Sequence, residues 1–147
     1  MLNMLADYKL AALKRADKKI TSEVNILLGQ LSPGLRIKKE ELRNVLANPA
    51  IDVVVAKESG RIVGIGSLVF IRKLSGKTAF IEDVIIDQHY RDQGLGKKLV
   101  LTLIKRAKIR KAKNVRLTSR PERVAANNLY KKLGFKLKKT NYYVLEF

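Results

Sequence analysis

At 147 residues with 46% apolar side chains, the chain has the size and composition of one globular domain able to bury a core. It holds no cysteine and one histidine, which excludes disulfides, thiolate nucleophiles and cysteine-bearing zinc sites, and argues against a histidine-based metal site or triad, so no metal ligand set is read. The formal charge of +18, from 31 Lys and Arg against 13 Asp and Glu, attracts anions such as coenzyme phosphates, nucleic acid, acidic proteins or acidic lipid, although solvated lysine-rich helix faces account for the same excess.

The stretch Met1–Tyr8 lacks a basic region followed by a long apolar run, so no signal peptide is read. No run of about 18 apolar residues could span a membrane; the expectation is a cytoplasmic protein without a membrane partner. Tyr8–Leu13 reads as a first strand. Asp17 then caps a helix to about Leu31, with Ile20, Val24, Leu27, Leu28 and Leu31 on one stripe, and Ser32-Pro33-Gly34 ends it. A short helix from about Lys38 to Ala47 is closed by Asn48-Pro49. Ile51–Lys57 and Arg61–Ile71 read as strands joined by the hairpin signal Glu58-Ser59-Gly60, and a third long strand covers Thr78–Asp87. A helix opens at Gly94/Gly96 and runs to about Ala112, with Leu95, Leu99, Leu103, Ile104 and Ala107 near helical spacing. Asn114–Ser119 reads as a strand, Arg123–Leu133 as a helix ended by Gly134, and Phe135–Lys138 and Tyr142–Phe147 as terminal strands. The order is β-α-α-β-β-β-α-β-α-β-β. It predicts one α/β (or α+β) domain over residues 1–147, with a mixed β-sheet flanked by helices and a parallel pair around the crossover helix.

The most informative stretch is Ile81–Leu99: an apolar strand, a polar turn with two glycines, then a helix start. The first amides of a helix lack internal partners and its dipole favours an anion, so this order forms a phosphate site. Glycine lets the backbone approach the ligand closely. The spacing Arg91-x-x-Gly94-x-Gly96 differs from both common nucleotide loops.

Val84-Ile85-Ile86-Asp87 followed by Arg91-Asp92-Gln93-Gly94-Leu95-Gly96-Lys97 is similar to the coenzyme-binding strand and pyrophosphate loop of the GNAT superfamily of acetyl-CoA-dependent N-acetyltransferases. Ala125-Ala126-Asn127-Asn128-Leu129-Tyr130-Lys131-Lys132-Leu133-Gly134-Phe135 resembles that family's Leu-Tyr-x-x-x-Gly-Phe signature. Both motifs stand in the family's order, and the elements from Tyr8 onward follow its pattern.

The resemblance implies acetyl-CoA as co-substrate and a primary amine, on a small molecule or a protein, as acceptor. Gly94, Gly96 and the amides of Asp92, Gln93, Leu95 and Lys97 would hold the pyrophosphate; Arg91 is a loop anchor or phosphate contact. Val84, Ile85 and Ile86, core residues by composition, would also pair through their backbone with the pantetheine amides. Asn127 is a candidate coenzyme contact, with a helix-surface amide as the plain alternative. Glu82 is the candidate general base and Asp83 the second choice; a salt bridge with a lysine, or acceptor binding without proton transfer, is the plain reading of Glu82. On strict alternation Glu82 shares a face with Val84 and Ile86, and Asp83 with Ile85 and Asp87. Tyr130 is the candidate general acid toward the leaving thiolate, with a buried core tyrosine as its plain reading.

Two positions depart from the family pattern. Arg123 stands where many relatives carry an asparagine contacting the coenzyme. Thr118 stands where the acetyltransferases of ribosomal-protein N-termini place a catalytic glutamate, which argues against that activity. Without cysteine, the acetyl group is expected to pass by direct attack in a ternary complex. Two rivals remain: a silent coenzyme-A sensor, and a nucleic-acid or ribosome-binding protein. The second rests on the basic runs Lys105–Lys113 and Lys131–Lys139, which have little aromatic interleaving and so are not favoured as a nucleic-acid surface. Terminal strands and sheet edges are compatible with a homodimer.

Overall fold

The computed structural model describes residues 7–147; Met1–Ala6, within the stretch read above for a leader, lie outside the described residues. The chain divides into two compact units, the first ending at Leu117 and the second spanning Thr118–Phe147. The first unit contains β1 (Lys9–Ala12), α1 (Lys18–Leu31), α2 (Lys39–Ala47), β2 (Ile51–Glu58), β3 (Arg61–Lys73), β4 (Gly76–Ile86), α3 (Leu95–Ile109) and β5 (Val115–Arg116). The second contains α4 (Val124–Lys132). No helix among the described residues is long and apolar enough to cross a membrane.

The sheet runs β1-β2-β3-β4-β5; its first three pairings are antiparallel and β4–β5 is parallel. Local chemistry sets the boundaries. The Asp17 carboxylate accepts the Ile20 amide at 2.8 Å and starts α1. Ser59 and Gly60, at φ +47° and +79°, make the tight turn between β2 and β3. The α1–α2 face of the sheet is sealed by Leu13, Val24, Leu27, Leu42, Val53, Val55, Ile62, Ile65 and Ile85. Of the expected α1 stripe, Val24 and Leu27 are buried, whereas Leu31, in the last turn, is exposed. On the opposite face Leu95, Leu99, Leu103 and Ala107 bury one side of α3, as its periodicity predicts.

Strict alternation fails in β4. Ile65 and Ser67, two apart on β3, pair with Ile85 and Glu82, three apart on β4. The extra residue is a β-bulge at which Asp83 takes φ +52°. Partners directly opposite one another project from the same face, so Glu82 and Ile85 share the α1–α2 face. Val84 and Ile86 lie on the other: a Cβ at Gly66 would meet Leu103 Cδ1 at 3.0 Å and Val84 Cγ2 at 3.4 Å, and Ile86 packs with Leu95. The expectation that Glu82 shares a face with Val84 and Ile86 is thereby corrected.

The expected strand Asn114–Ser119 shortens to Val115–Arg116. Neither Phe135–Lys138 nor Tyr142–Phe147 is a strand. Both stretches carry strand-type residues, but a strand persists only where a neighbour takes its N–H and C=O groups. Leu137, Tyr142, Tyr143, Leu145 and Phe147 are instead exposed, each by at least 78%. Gly134, at φ +93°, ends α4 with the Phe135 amide returning to the Tyr130 carbonyl at 3.0 Å.

Candidate active site

β5 pairs with β4 only at Ala79 and Phe80. From Ile81 to Ile86 the outer edge of β4 has no strand partner among the described residues, so its outward-facing main-chain groups can pair with an extended ligand, apart from the Ile86 carbonyl, which Arg91 takes. Val84, Ile85 and Ile86 stand on this edge, as expected. Their side chains divide between the two faces, so the backbone edge is what the three residues share.

The chain leaves β4 through a built turn. Asp87, 1% exposed, accepts the His89 amide at 2.9 Å and takes Arg61 at 3.4 Å, and the Tyr90 amide returns to its carbonyl at 2.8 Å. Arg91 Nε donates to the Ile86 carbonyl at 3.0 Å, which makes Arg91 an anchor of the loop. Asp92 and Gly94 both adopt left-handed backbone, φ +59° and +78°, and Leu95 is buried beneath the loop. The first helical return bond at this end runs from the Lys98 amide to the Gly94 carbonyl, 3.2 Å. The amides of Leu95, Gly96 and Lys97 therefore sit in the unpaired first turn of α3, where the helix dipole favours an anion. Lys97 and Lys98 are exposed at this end.

Glu82 and Asp83 sit at the bulge beside the open edge. Both residues are exposed, and partial desolvation at the bulge raises the Glu82 carboxyl pKa, with the Asp83 charge adding to it, and raises that of Asp83. Ser67 Oγ donates to the Glu82 carbonyl at 3.1 Å and ties the bulge to β3. A raised carboxylate next to an unpaired strand edge suits a proton acceptor.

Tyr130 and Asn127 belong to the second unit. Tyr130 is 7% exposed and meets the Phe135 ring edge-on, centroids 5.8 Å apart. Burial raises its phenol pKa, opposed by Arg123. Asn127 Nδ2 donates to the Arg120 carbonyl at 2.9 Å, so its amide helps close the turn leading into α4.

Among the described residues no three His, Cys, Asp or Glu side chains gather as metal ligands would. A groove of about 780 Å³ along α1 and the start of α2 is lined by Lys18, Ser22, Asn25, Arg36 and Lys39 among others, and by none of the predicted site residues. In the basic run Lys105–Lys113, Arg106 and Arg110 are tied to Asp52 at 3.3 and 2.7 Å, and Arg110 stacks on Phe70. Sequence reasoning missed Tyr8 and Tyr90. Tyr8 hydroxyl donates to Gln93 Oε1 at 2.6 Å and Tyr90 hydroxyl to Glu58 Oε2 at 2.6 Å. These partners are 85 and 32 residues apart, and no local pattern links them.

The sequence pattern of the Acetyltransferase (GNAT) family matches residues 25–135. Glucosamine 6-phosphate N-acetyltransferase 1 of Oryza sativa subsp. japonica is 30% identical over 138 residues, covering 87% of this chain and 81% of that one. Glucosamine 6-phosphate N-acetyltransferase of Trypanosoma brucei brucei is 31% identical over 140 residues, 90% of this chain and 91% of that one. Among solved structures, a Trypanosoma brucei acetyltransferase superposes with a TM-score of 0.80 at 29% identity, covering 95% of this chain and all of the other.

Proposed function

This chain belongs to the GNAT family and is an acyl-CoA-dependent N-acetyltransferase, and we propose that it moves the acetyl group of acetyl-CoA to a primary amine by direct attack in a ternary complex. The observation that carries this reading is the pairing of an open β4 edge with the unpaired amides at the start of α3. The amides of Asp92 through Lys97 hold the diphosphate, and the backbone of Val84, Ile85 and Ile86 pairs with the pantetheine arm. The amine attacks the thioester carbon; Glu82 takes its proton, with Asp83 the alternative acceptor, and Tyr130 donates a proton to the departing thiolate. An amide of β4 polarises the thioester oxygen. Coenzyme positioning matters as much as the acid–base groups, because it converts a bimolecular step into an effectively unimolecular one. The family match crosses the boundary at Leu117, which supports one functional domain over residues 1–147.

For the acceptor we favour the amine of a phosphorylated amino sugar. Two relatives carry glucosamine 6-phosphate in their names, and a net charge of +18 suits an anionic acceptor. Thiol release from acetyl-CoA, followed across amines that include glucosamine 6-phosphate, glucosamine, polyamines and peptide N-termini, tests both levels. Release dependent on the sugar phosphate is expected. Release with another amine alone replaces the acceptor; coenzyme binding without any acceptor-dependent release overturns the transfer.

We further read the chain as a homodimer joined by its C-terminal segments. Tyr142, Tyr143 and Phe147 are exposed by 78%, 84% and 115%, with Leu137, Val144 and Leu145 also in solvent. Aromatic side chains bury about 150–250 Å² each, so two such segments reach the scale of a standard interface of about 1,200–2,000 Å². Sedimentation should show a dimer, and truncation after Thr140 should release monomers; a wild-type monomer at micromolar concentration refutes it.

A further inference from the structure

The loop between β4 and α3 contains backbone that does not hold itself in place. Gln93 lies between Asp92 and Gly94, both left-handed. Gly94 adopts this conformation freely, but Asp92 does not. Such a residue persists where its surroundings over-determine it. On one side Arg91 is fastened to the Ile86 carbonyl, and on the other Leu95 is buried. Between them, Gln93 is held by its side chain. Its Oε1 accepts from the Tyr8 hydroxyl at 2.6 Å, and its Nε2 reaches the His89 carbonyl at 3.4 Å.

Tyr8 is itself well placed to act as a fixed post. It directly precedes β1, whose Lys9 pairs with Lys57 of β2. Its ring meets Tyr90 edge-on with centroids 6.2 Å apart, and Tyr90 is pinned by its hydroxyl to Glu58. Both tyrosines pack against the buried cluster formed by Ala56, Val63 and Leu95. Lys98, in the first turn of α3, lies 5.9 Å from the centre of the Tyr8 ring. Tyr8 therefore touches the loop at Gln93 and the helix at Lys98, on both sides of the amides that face the ligand.

We propose that Tyr8 is a positioning residue for the coenzyme: by holding Gln93 it sets the Asp92–Gly94 backbone, and with it the direction of the first amides of α3. This rests on the reading of that loop as the diphosphate site. It also assigns the described residues before β1 a part in coenzyme affinity, although they contribute no atom to the proposed ligand contacts.

Tyr8→Phe keeps the ring and its packing and removes only the donor. Binding of coenzyme A to the wild type is measured first by calorimetry; no binding would overturn both this inference and the reading beneath it. Given binding, Tyr8→Phe should raise KM for acetyl-CoA about threefold to tenfold, the worth of one hydrogen bond, with kcat within about twofold. S-acetylpantetheine, which lacks the diphosphate, should be used equally well by both proteins. Gln93→Ala should also weaken coenzyme binding, and adding Tyr8→Phe to it should change nothing more. An unchanged KM in Tyr8→Phe overturns the proposal, as does equal impairment with both donors or an additive double variant.

Discussion

Glu82 and Ile85 project from the same face of β4 although they are three positions apart, because the bulge at Asp83 inserts one residue opposite the Ile65–Ser67 step. The bulge places an acid on the α1–α2 face, while Val84 and Ile86 turn toward α3. It lies within the stretch of β4 that β5 does not cover. The register irregularity, the unpaired edge and the raised carboxylates thus coincide at one point of the sheet.

Replacing Glu82 by Gln keeps size and hydrogen bonding and removes the base. We expect kcat to fall by about 10²- to 10³-fold with coenzyme A affinity unchanged. Its folded pKa is raised, and a base works only when charged. Wild-type kcat/KM should therefore climb with pH through a midpoint above the usual carboxylate range, and this acid limb should vanish in the variant. An unaltered pH profile would transfer the role to Asp83 or to water.

Asp83→Asn should stabilise the fold at neutral pH. Partial desolvation raises the pKa of the exposed Asp83 carboxyl, so between its unfolded and folded values the native state binds more protons, and stability declines slightly, the effect being screened by solvent, as pH rises through that window. The neutral amide escapes this cost, and asparagine tolerates the φ of +52°. Thermal melts of the two proteins should differ at pH 7 and converge as pH drops below the carboxylate range. Asp83→Ala, by contrast, should lose about 1–2 kcal/mol relative to Asp83→Asn, the cost of left-handed backbone without a helpful side chain.

Gly94→Ala isolates backbone conformation from crowding. A Cβ there meets nothing within 4 Å, but φ is +78°. The expected cost is about 1–2 kcal/mol, taken as a shift in the loop or in stability. Coenzyme A affinity should fall by about tenfold or more as the loop relaxes away from the diphosphate. Calorimetric titration reads it directly, and wild-type affinity would argue against the amide cradle.

Tyr130→Phe should lower kcat by about 10²-fold while leaving acetyl-CoA binding intact. Burial raises the phenol pKa, so the group remains protonated as a donor must across the neutral range. The ring contact with Phe135 survives the substitution, so the melting temperature should move little. Full activity would return Tyr130 to a packing role.

Much of this protein was legible along the chain because the responsible forces are local. Asp17 caps α1 through an amide three residues away, Ser59-Gly60 turns on its own dihedrals, and Gly94 opens α3 where an anion can sit. Two motifs in order identified the family. What only the tertiary structure decided depends on partners far away in sequence. The bulge at Asp83 is a matter of register against β3, and Tyr8 holds a loop 85 residues downstream. Phe135–Lys138 and Tyr142–Phe147 carry strand-forming side chains yet form no strand, since hydrogen-bonded pairing needs a neighbour and composition does not provide one.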